Sequence, residues 1–427
     1  MVENVYDLVI VGGGAAGLMA AAWITEHYKN IPEKPSVLLL EKMYRPGRKL
    51  NITGKGRCNI TNTRMWDEFS VHIHPNKQFF KNAFYGFSSH DTMDFFTGLG
   101  LALSVERGQR VFPKSMRAMD VTDALVDTIR SGRIVEMKTD STVETIAKEE
   151  NFIVKYGGGH TVLSKRLLIA TGGLSYPSTG SSGDGYAMAI SVGHSIVSCR
   201  PSLTALIPSG YTEADGSLSS LAKSLSGLQL KNVSVSLMVN GNIVQEEFGD
   251  LDFTTSGLEG SLGFRISRKA VEALDFGQKV AVVIDLKPAL SVQQIQQRIK
   301  REAAIGNNTV KYLVSRLLPA KLVNPFLLLN KQLVRVSSAE AAEQLPQLLK
   351  NFRFNILSYV GFERCVVTNG GVSLKEISQK TMESKIVEGL YFAGEVLDLD
   401  GDTGGYNLQI AFSTAVLAVQ SALQQTL

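Results

Sequence analysis

Three rhythms of apolar and polar residues follow one another along this chain. Near the start, an unbroken apolar run at residues 8–11 feeds into Gly12-Gly13-Gly14-Ala15-Ala16-Gly17, and an alanine-rich stretch with helical spacing follows to about residue 28. A second run at residues 36–40 (SVLLL) closes on Glu41. Short apolar runs joined by a helix are what a parallel sheet covered on both faces requires, so residues 1–60 read as β-α-β. A helical pattern at 79–101 places Phe80, Phe84, Phe87, Phe95 and Phe96 in a core. Strands at 103–106 and 110–112 flank Arg107-Gly108-Gln109 as a hairpin, and a helix starts after Pro113 and Ser115. Residues 133–170 alternate as a small antiparallel meander (Val143, Ile146, Phe152, Val154), ending in an apolar strand at 166–170. From 201 to 286 the period is two, with Asn240-Gly241 as a hairpin turn and a partly helical interruption at 258–274, which predicts a barrel or sandwich. Helical spacing governs 291–350, with Ser291 as an N-cap, and strands return at 352–371.

The glycines carry the first chemistry. Gly12, Gly14 and Gly17 fit G-x-G-x-x-G directly after a strand, with Ala15 and Ala16 opening the helix. The first glycine permits the tight turn, the second the approach of a pyrophosphate, and the third close packing of helix on strand. Helix-start amides then hold phosphates, and Glu41 stands where a ribose-binding acid is needed. The loop at 41–62 is rich in glycine and positive charge. Lys42, Arg48, Lys49, Thr53, Arg57, Cys58 and Asn59 are its candidate cofactor contacts, with Asn51, Thr61 and Asn62 as further neutral donors. A second strand-to-glycine turn at Thr171-Gly172-Gly173 marks another close backbone approach. Gly180, Gly183 and Gly185 do not repeat the fingerprint, so one full nucleotide module is expected. Strand 390–393 empties into Gly394-Glu395, and after Asp398, Asp400 and Asp402 a helix begins at Gly404-Gly405-Tyr406-Asn407-Leu408. That helix start suits a phosphate or an electron-rich ring edge.

No metal site is expected. His72 and His74 read as ordinary surface or loop residues, and the acidic loop lacks the length and distal glutamate of an EF-hand. Arg110, Tyr176 and Tyr406 are the candidate catalytic side chains.

At 427 residues the chain should divide into two or three modules. Forty-four basic against 40 acidic residues is too small an excess to imply a nucleic-acid partner. No apolar run approaches a membrane span. Glu3 and Asp7, without early Lys or Arg, argue against a signal peptide. Three separated cysteines without a C-x-x-C pair suit a reducing, cytoplasmic setting.

The segments GRKLNITGKGRCNITN, VFPKSMRAMDV, LIATGGLSYPSTGSSGDGYAMA and VTNGGVSLKEISQKTMESKIVEGLYFAGEVLDLDGDTGGYNLQIAF occur in this order. Together they resemble the BaiN-like, or aminoacetone-oxidase-like, family of NAD(P)/FAD-dependent oxidoreductases among the two-dinucleotide-binding-domain flavoproteins. The resemblance implies an α/β chain: a Rossmann-like FAD-binding domain built from both chain ends (1–195 and 366–427), an inserted β-barrel (196–290 and 347–365) and a small helical insert (291–346). It implies FAD, with Glu395 on the ribityl chain, the Val143 backbone at adenine and the last helix start at the flavin's pyrimidine side. It further implies hydride or electron transfer between NADH or NADPH, or dioxygen, and a small organic substrate such as an enone, ketone or amine. An RNA-modifying or RNA-binding flavoprotein is the alternative. One stretch departs: at 251–267, Thr255 stands at a family histidine position, and Glu259-Gly260-Ser261 replaces Ser-Gly-Pro.

Overall fold

The computed structural model describes residues 5–305 and 309–424, so Glu3 lies outside the described residues. The chain forms two compact units, Met1–Arg200 with Phe362–Leu427, and Pro201–Gly361.

The first unit is built on a sheet whose central strands are buried at their C-terminal ends. Strands β1 (Val5–Val11), β2 (Val37–Leu40), β3 (Val135–Lys138), β4 (Val143–Lys148), β5 (Phe152–Tyr156) and β6 (His160–Ile169) run in the order β3-β2-β1-β6-β5-β4. The four from β3 to β6 are parallel, with Val9 beside Leu38 and Leu167. Strand β6 forks. Its first half pairs antiparallel with β5, and Leu167–Ile169 pair in parallel with Leu390–Phe392. The C-terminal strand therefore enters the N-terminal sheet. Helix α1 (Ala15–His27) buries Leu18, Met19 and Ile24, packing against Ala118–Gly132 and the last helix, Tyr406–Gln424. The last helix is buried from Gln409 through Val416.

Two local readings change. The pattern at 79–101 forms two helices, Lys77–Gly86 and Ser89–Gly98. Phe87 leaves helical geometry, and Ser88 with Asp91 forms a capping box that starts the second helix. Within the loop at 41–62, Gly47 adopts φ +70°, and a single turn, Arg48–Ile52, follows. Its start is tied to the fingerprint by Gly47 N donating to Gly13 O at 2.8 Å.

In the second unit the period-two segments close into a six-stranded barrel. Leu206–Pro208, Gly257–Glu259, Asn242–Thr254, Leu228–Val239, Val280–Asp285 and Phe352–Tyr359 succeed one another around it. Asn240 and Gly241 both take positive φ, the geometry of a type I′ hairpin turn. The departing stretch forms a hairpin rung followed by helix Gly260–Asp275, and Glu259 occupies the cap position. Helices Val292–Ile305, Val310–Ser315, Ala320–Leu329 and Ser338–Lys350 make the insert. Ser291 Oγ accepts from Gln294 N at 3.2 Å, as an N-cap should.

Candidate flavin site

Parallel strands present their carboxyl ends at one edge, and the chain reverses its strand order between β1 and β6. Open α/β sheets bind ligands in the crevice at such a switch point. Here the turns after β1, β2, β6 and Leu390–Phe392 all meet at that edge. Gly12 N donates to Leu40 O, Ala170 N to Val11 O, and Ala393 N to Ile169 O, at 2.8, 2.9 and 3.1 Å.

Each fingerprint glycine has a distinct physical reason. Gly12 takes φ +104°, and a Cβ there would stand 2.6 Å from Ala170 O. A Cβ on Gly17 would strike the Gly12 carbonyl, whereas one on Gly14 would meet nothing within 4 Å. Gly14 thus faces open space where a phosphate can approach. A groove in the first unit runs from there, lined by Gly12, Gly14, Glu41, Lys42, Arg48, Lys49, Val143 and Thr171. Ala15 and Ala16 lie at the start of α1 beneath it. The Glu41 carboxylate is buried and accepts from Gly13 N at 2.6 Å and Met43 N at 2.7 Å. Burial pushes its carboxyl pKa upward despite those amides.

Sequence reasoning missed the far wall of this groove, which is Thr179, Gly180, Ser181 and Asp184. Asp184 pairs with Lys42 at 2.6 Å. The acid in the GDG segment was the available signal.

Lys49 and Glu395, expected as separate cofactor contacts, are joined as an ion pair. Lys49 Nζ also donates to Ser175 Oγ at 2.7 Å. Ser175 Oγ donates to Glu395 at 2.6 Å and Thr368 N donates to it at 2.8 Å. Burial alone would raise the Glu395 carboxyl, but Lys49, Ser175 and the amide outweigh it and hold it below the usual carboxylate range. Thr368 Oγ1 accepts from Leu174 N and Ser175 N, at 2.8 and 3.1 Å, so it also fixes the turn after Gly172-Gly173. A Cβ on Gly173 would collide with Thr368, and one on Gly394 would stand 2.9 Å from the Ala16 methyl. At Gly394 the two ends of the chain meet.

The neutral side chains of the basic loop are mostly spent internally. Thr53 Oγ1 donates to Leu50 O at 2.6 Å, Thr61 Oγ1 to Gln409 at 2.6 Å, and Asn62 to Gly404 O at 3.1 Å. Arg57 lies over the Phe112 ring at 4.4 Å and pairs with Glu106 at 2.5 Å. Cys58 is buried, and burial pushes its thiol up to about 12, which makes it inert as a nucleophile. Asn59 differs. Its Oδ1 is buried and finds no hydrogen-bond partner among the described residues. A buried acceptor without a protein partner is open to a polar group of a bound ligand.

At the last helix start, Gly404 and Gly405 take φ +133° and +97°, and a Cβ on Gly405 would collide with the Thr61 backbone. Asn407 braces this turn through Gly401 N at 2.8 Å and Gly401 O at 2.7 Å, and Leu408 is half-buried one residue on. Tyr406 is buried, accepts from Arg64 at 2.7 Å and stacks on His72 at 4.4 Å. His72 and His74 are therefore not ordinary surface residues: both reach Asp402, at 2.8 and 3.3 Å. Pairing of Ile73–His74 with Asp400–Gly401 brings them there. Among the described residues no three His, Cys, Asp or Glu side chains are grouped to hold a metal. Arg110 Nε donates to Arg107 O at 3.0 Å within its own hairpin, and Tyr176 takes positive φ, its amide donating to Phe362 O at 2.9 Å.

Backbone amides at a glycine turn, lysines and arginines along a groove, and an acid after each of two parallel strands are groups of the kind an extended flavin dinucleotide calls for. The fold and the relatives define a Rossmann-type FAD-dependent oxidoreductase. The chain belongs to the HI0933-like family, whose Rossmann-domain model matches residues 6–421. It is 30% identical, over 97% of its length and 98% of the relative's, to a 3-dehydro-bile acid delta(4,6)-reductase of Clostridium scindens. It is also 31% identical, over 98% of both chains, to a ribosomal RNA dihydrouridine synthase of Escherichia coli. Among solved structures, 3-ketosteroid delta1-dehydrogenase from Sterolibacterium denitrificans shares the fold, with a TM-score of 0.53, 13% identity, and coverage of 99% of this chain and 100% of that one.

Proposed function

We propose that this protein reduces a carbon–carbon double bond conjugated to a carbonyl group, taking its electrons from NADH or NADPH. The observation that carries the reading is a chemical identity between two relatives with unlike substrates. A delta(4,6)-reductase of a 3-oxo bile acid saturates a double bond conjugated to a ketone, and dihydrouridine is uridine saturated beside the C4 carbonyl. FAD, when bound, supplies hydride to such an acceptor. The chain's residues bind and orient it. In this reading Gly12, Gly14 and the α1 start receive the pyrophosphate, Glu41 the adenine ribose, Val143 the adenine, and Asn59 a polar edge. Arg48 offsets phosphate charge. Lys49 and Glu395 exchange part of their mutual contact for the ribityl chain, and the Gly405 helix start offsets negative charge on the ring. With one nucleotide fingerprint in the chain, the nicotinamide donor binds transiently. Three cysteines, none of them in a disulfide among the described residues, support a reducing compartment, the cytoplasm.

A second reading keeps the chemistry and changes the substrate: the double bond is that of a uracil base in RNA, as the Escherichia coli relative's name states for that protein. The test is anaerobic reduction of the purified yellow protein by NADH and NADPH, followed by mixing with enones, amines, or RNA. Reoxidation by an enone or by uridine-containing RNA, with a saturated product, is the expected result. Reduction by an amine, with no reoxidation by any conjugated carbonyl, would overturn it.

A further inference from the structure

The chain's charge is segregated. Residues 287–350 hold ten Lys and Arg against three Glu, whereas the rest of the sequence holds 34 basic and 37 acidic residues. A small total of +4 therefore conceals a segment at +7 on a slightly acidic remainder.

Several of the ten cations have structural partners. Arg316 pairs with Glu302 at 2.9 Å and Lys350 with Asp285 at 2.9 Å, while Arg298 donates to Arg316 O at 3.2 Å and Lys321 to Ser226 O. Of the other six, Lys287 is half-buried, and five, Lys300, Arg301, Lys311, Lys331 and Arg335, are exposed and form no ion pair among the described residues. They come from three elements, Val292–Ile305, Val310–Ser315 and the turn Lys331–Val334 with its cap. These elements bury Ile295, Ile299, Leu313, Val314 and Leu333 in the core of the second unit, which leaves the charges outward. Unpaired like charges on adjoining elements repel one another, and a polyanion bound to them relieves that repulsion.

The rings decide which anion fits. Between residues 287 and 350 the aromatics are Tyr312 and Phe326. Phe326 is fully buried and Tyr312 is half-buried against the same core. Single-stranded RNA is held by stacking bases on exposed rings, and this surface offers none. Double-helical RNA is held through its phosphates and shape, for which unpaired Lys and Arg suffice. An anionic membrane would require one insertable apolar face, but the exposed Ile305, Leu328, Leu329 and Val334 are distributed over three elements.

We propose that these unpaired cations of the second unit dock the phosphate backbone of a folded, double-helical RNA, and that this RNA is the substrate. The proposal rests on the RNA reading given above.

The experiment uses the full-length FAD-loaded protein and the variant K300E/R301E/K311E/K331E/R335E, with a variant carrying Gln at the same positions. Binding of a labelled RNA stem–loop, a single strand of equal length, and phosphatidylserine vesicles is followed by anisotropy or sedimentation over a KCl series. Dihydrouridine formed in the RNA is counted in parallel, and melting temperature and flavin content verify the fold. The expected result is stem–loop binding in preference to the single strand, weakened about 100-fold or more in the Glu variant and less in the Gln variant. The slope of log affinity against log salt should flatten by about 3 to 4. Uridine reduction should fall in step, with reduction of a small enone unchanged. Equal stem–loop binding by both proteins would overturn the docking while leaving RNA reduction standing. Equal binding of single strand, or preference for vesicles, would also overturn it. Wild-type protein that neither binds nor reduces RNA would sink the RNA reading and the docking together.

Discussion

Gly14 and Gly17 stand three residues apart in one motif and should fail differently. Gly14 has φ −82° and open space around it, so Gly14→Ala should leave the apoprotein as stable or about 0.5 kcal/mol more so, while flavin retention falls about tenfold or more. Gly17→Ala should cost about 3 kcal/mol and the flavin as well, because its methyl would occupy the Gly12 carbonyl. Urea denaturation and the flavin absorbance of the purified variants separate the two. Lys49→Met should destabilise by about 3 kcal/mol by stranding Glu395, and Lys49→Met with Glu395→Gln should recover most of that loss. If the double variant were no better than the single, the pair would not be coupled. His194 gives a pH signature. It is buried, with Nδ1 3.1 Å from Glu376 and Nε2 2.8 Å from Ser384 Oγ, and burial lowers its pKa despite the Glu376 carboxylate. The unfolded histidine takes a proton first as pH falls. Stability should therefore be full above about 6.5, the ordinary histidine value, and decline below it. His194→Gln should flatten that decline in melts across pH 5–8. Glu395 was legible as an acid after a strand, but its partner lies 346 residues away, and no local pattern reveals a contact at that separation.

Elements declared themselves wherever one period ran unopposed. The β-α-β opening follows from unbroken apolar runs that end buried, the hairpin at 103–113 from its turn residues, and barrel strands such as Leu228–Val239 and Phe352–Tyr359 from burial that alternates along the strand. The break at Phe87 did not, since the phenylalanine spacing continues through it. The S-x-x-D at Ser88 and Asp91 was the available sign, and a capping box outweighs a continuous apolar stripe when the chain must turn. The His72 and His74 contacts with Asp402 depend on two-residue strands from distant segments, too short to show any periodicity. At this scale the start of the last helix is the sensitive point. Gly405→Ala should shift or abolish flavin binding and lower the melting temperature by several degrees, since the residue needs both φ +97° and contact with Thr61. A variant with an unchanged flavin spectrum and melt would show that this turn is not held as described.

At the scale of the whole molecule, overall composition averages the charge, so the total of +4 concealed the basic segment at 287–350. The flavin unit is discontinuous, resuming at Phe362 after the whole of the other unit. A chain ending at residue 403 should lack the Tyr406–Gln424 helix against α1 and be recovered colourless and aggregated, as checked by solubility and absorbance. The same discontinuity has a meaning for synthesis. On the ribosome the barrel and its helices are complete while the N-terminal sheet still lacks its Leu390–Phe392 strand, so the inserted unit can mature first. Until Leu390–Phe392 has been made, the nascent half-sheet must wait with an open edge beside Leu167–Ile169.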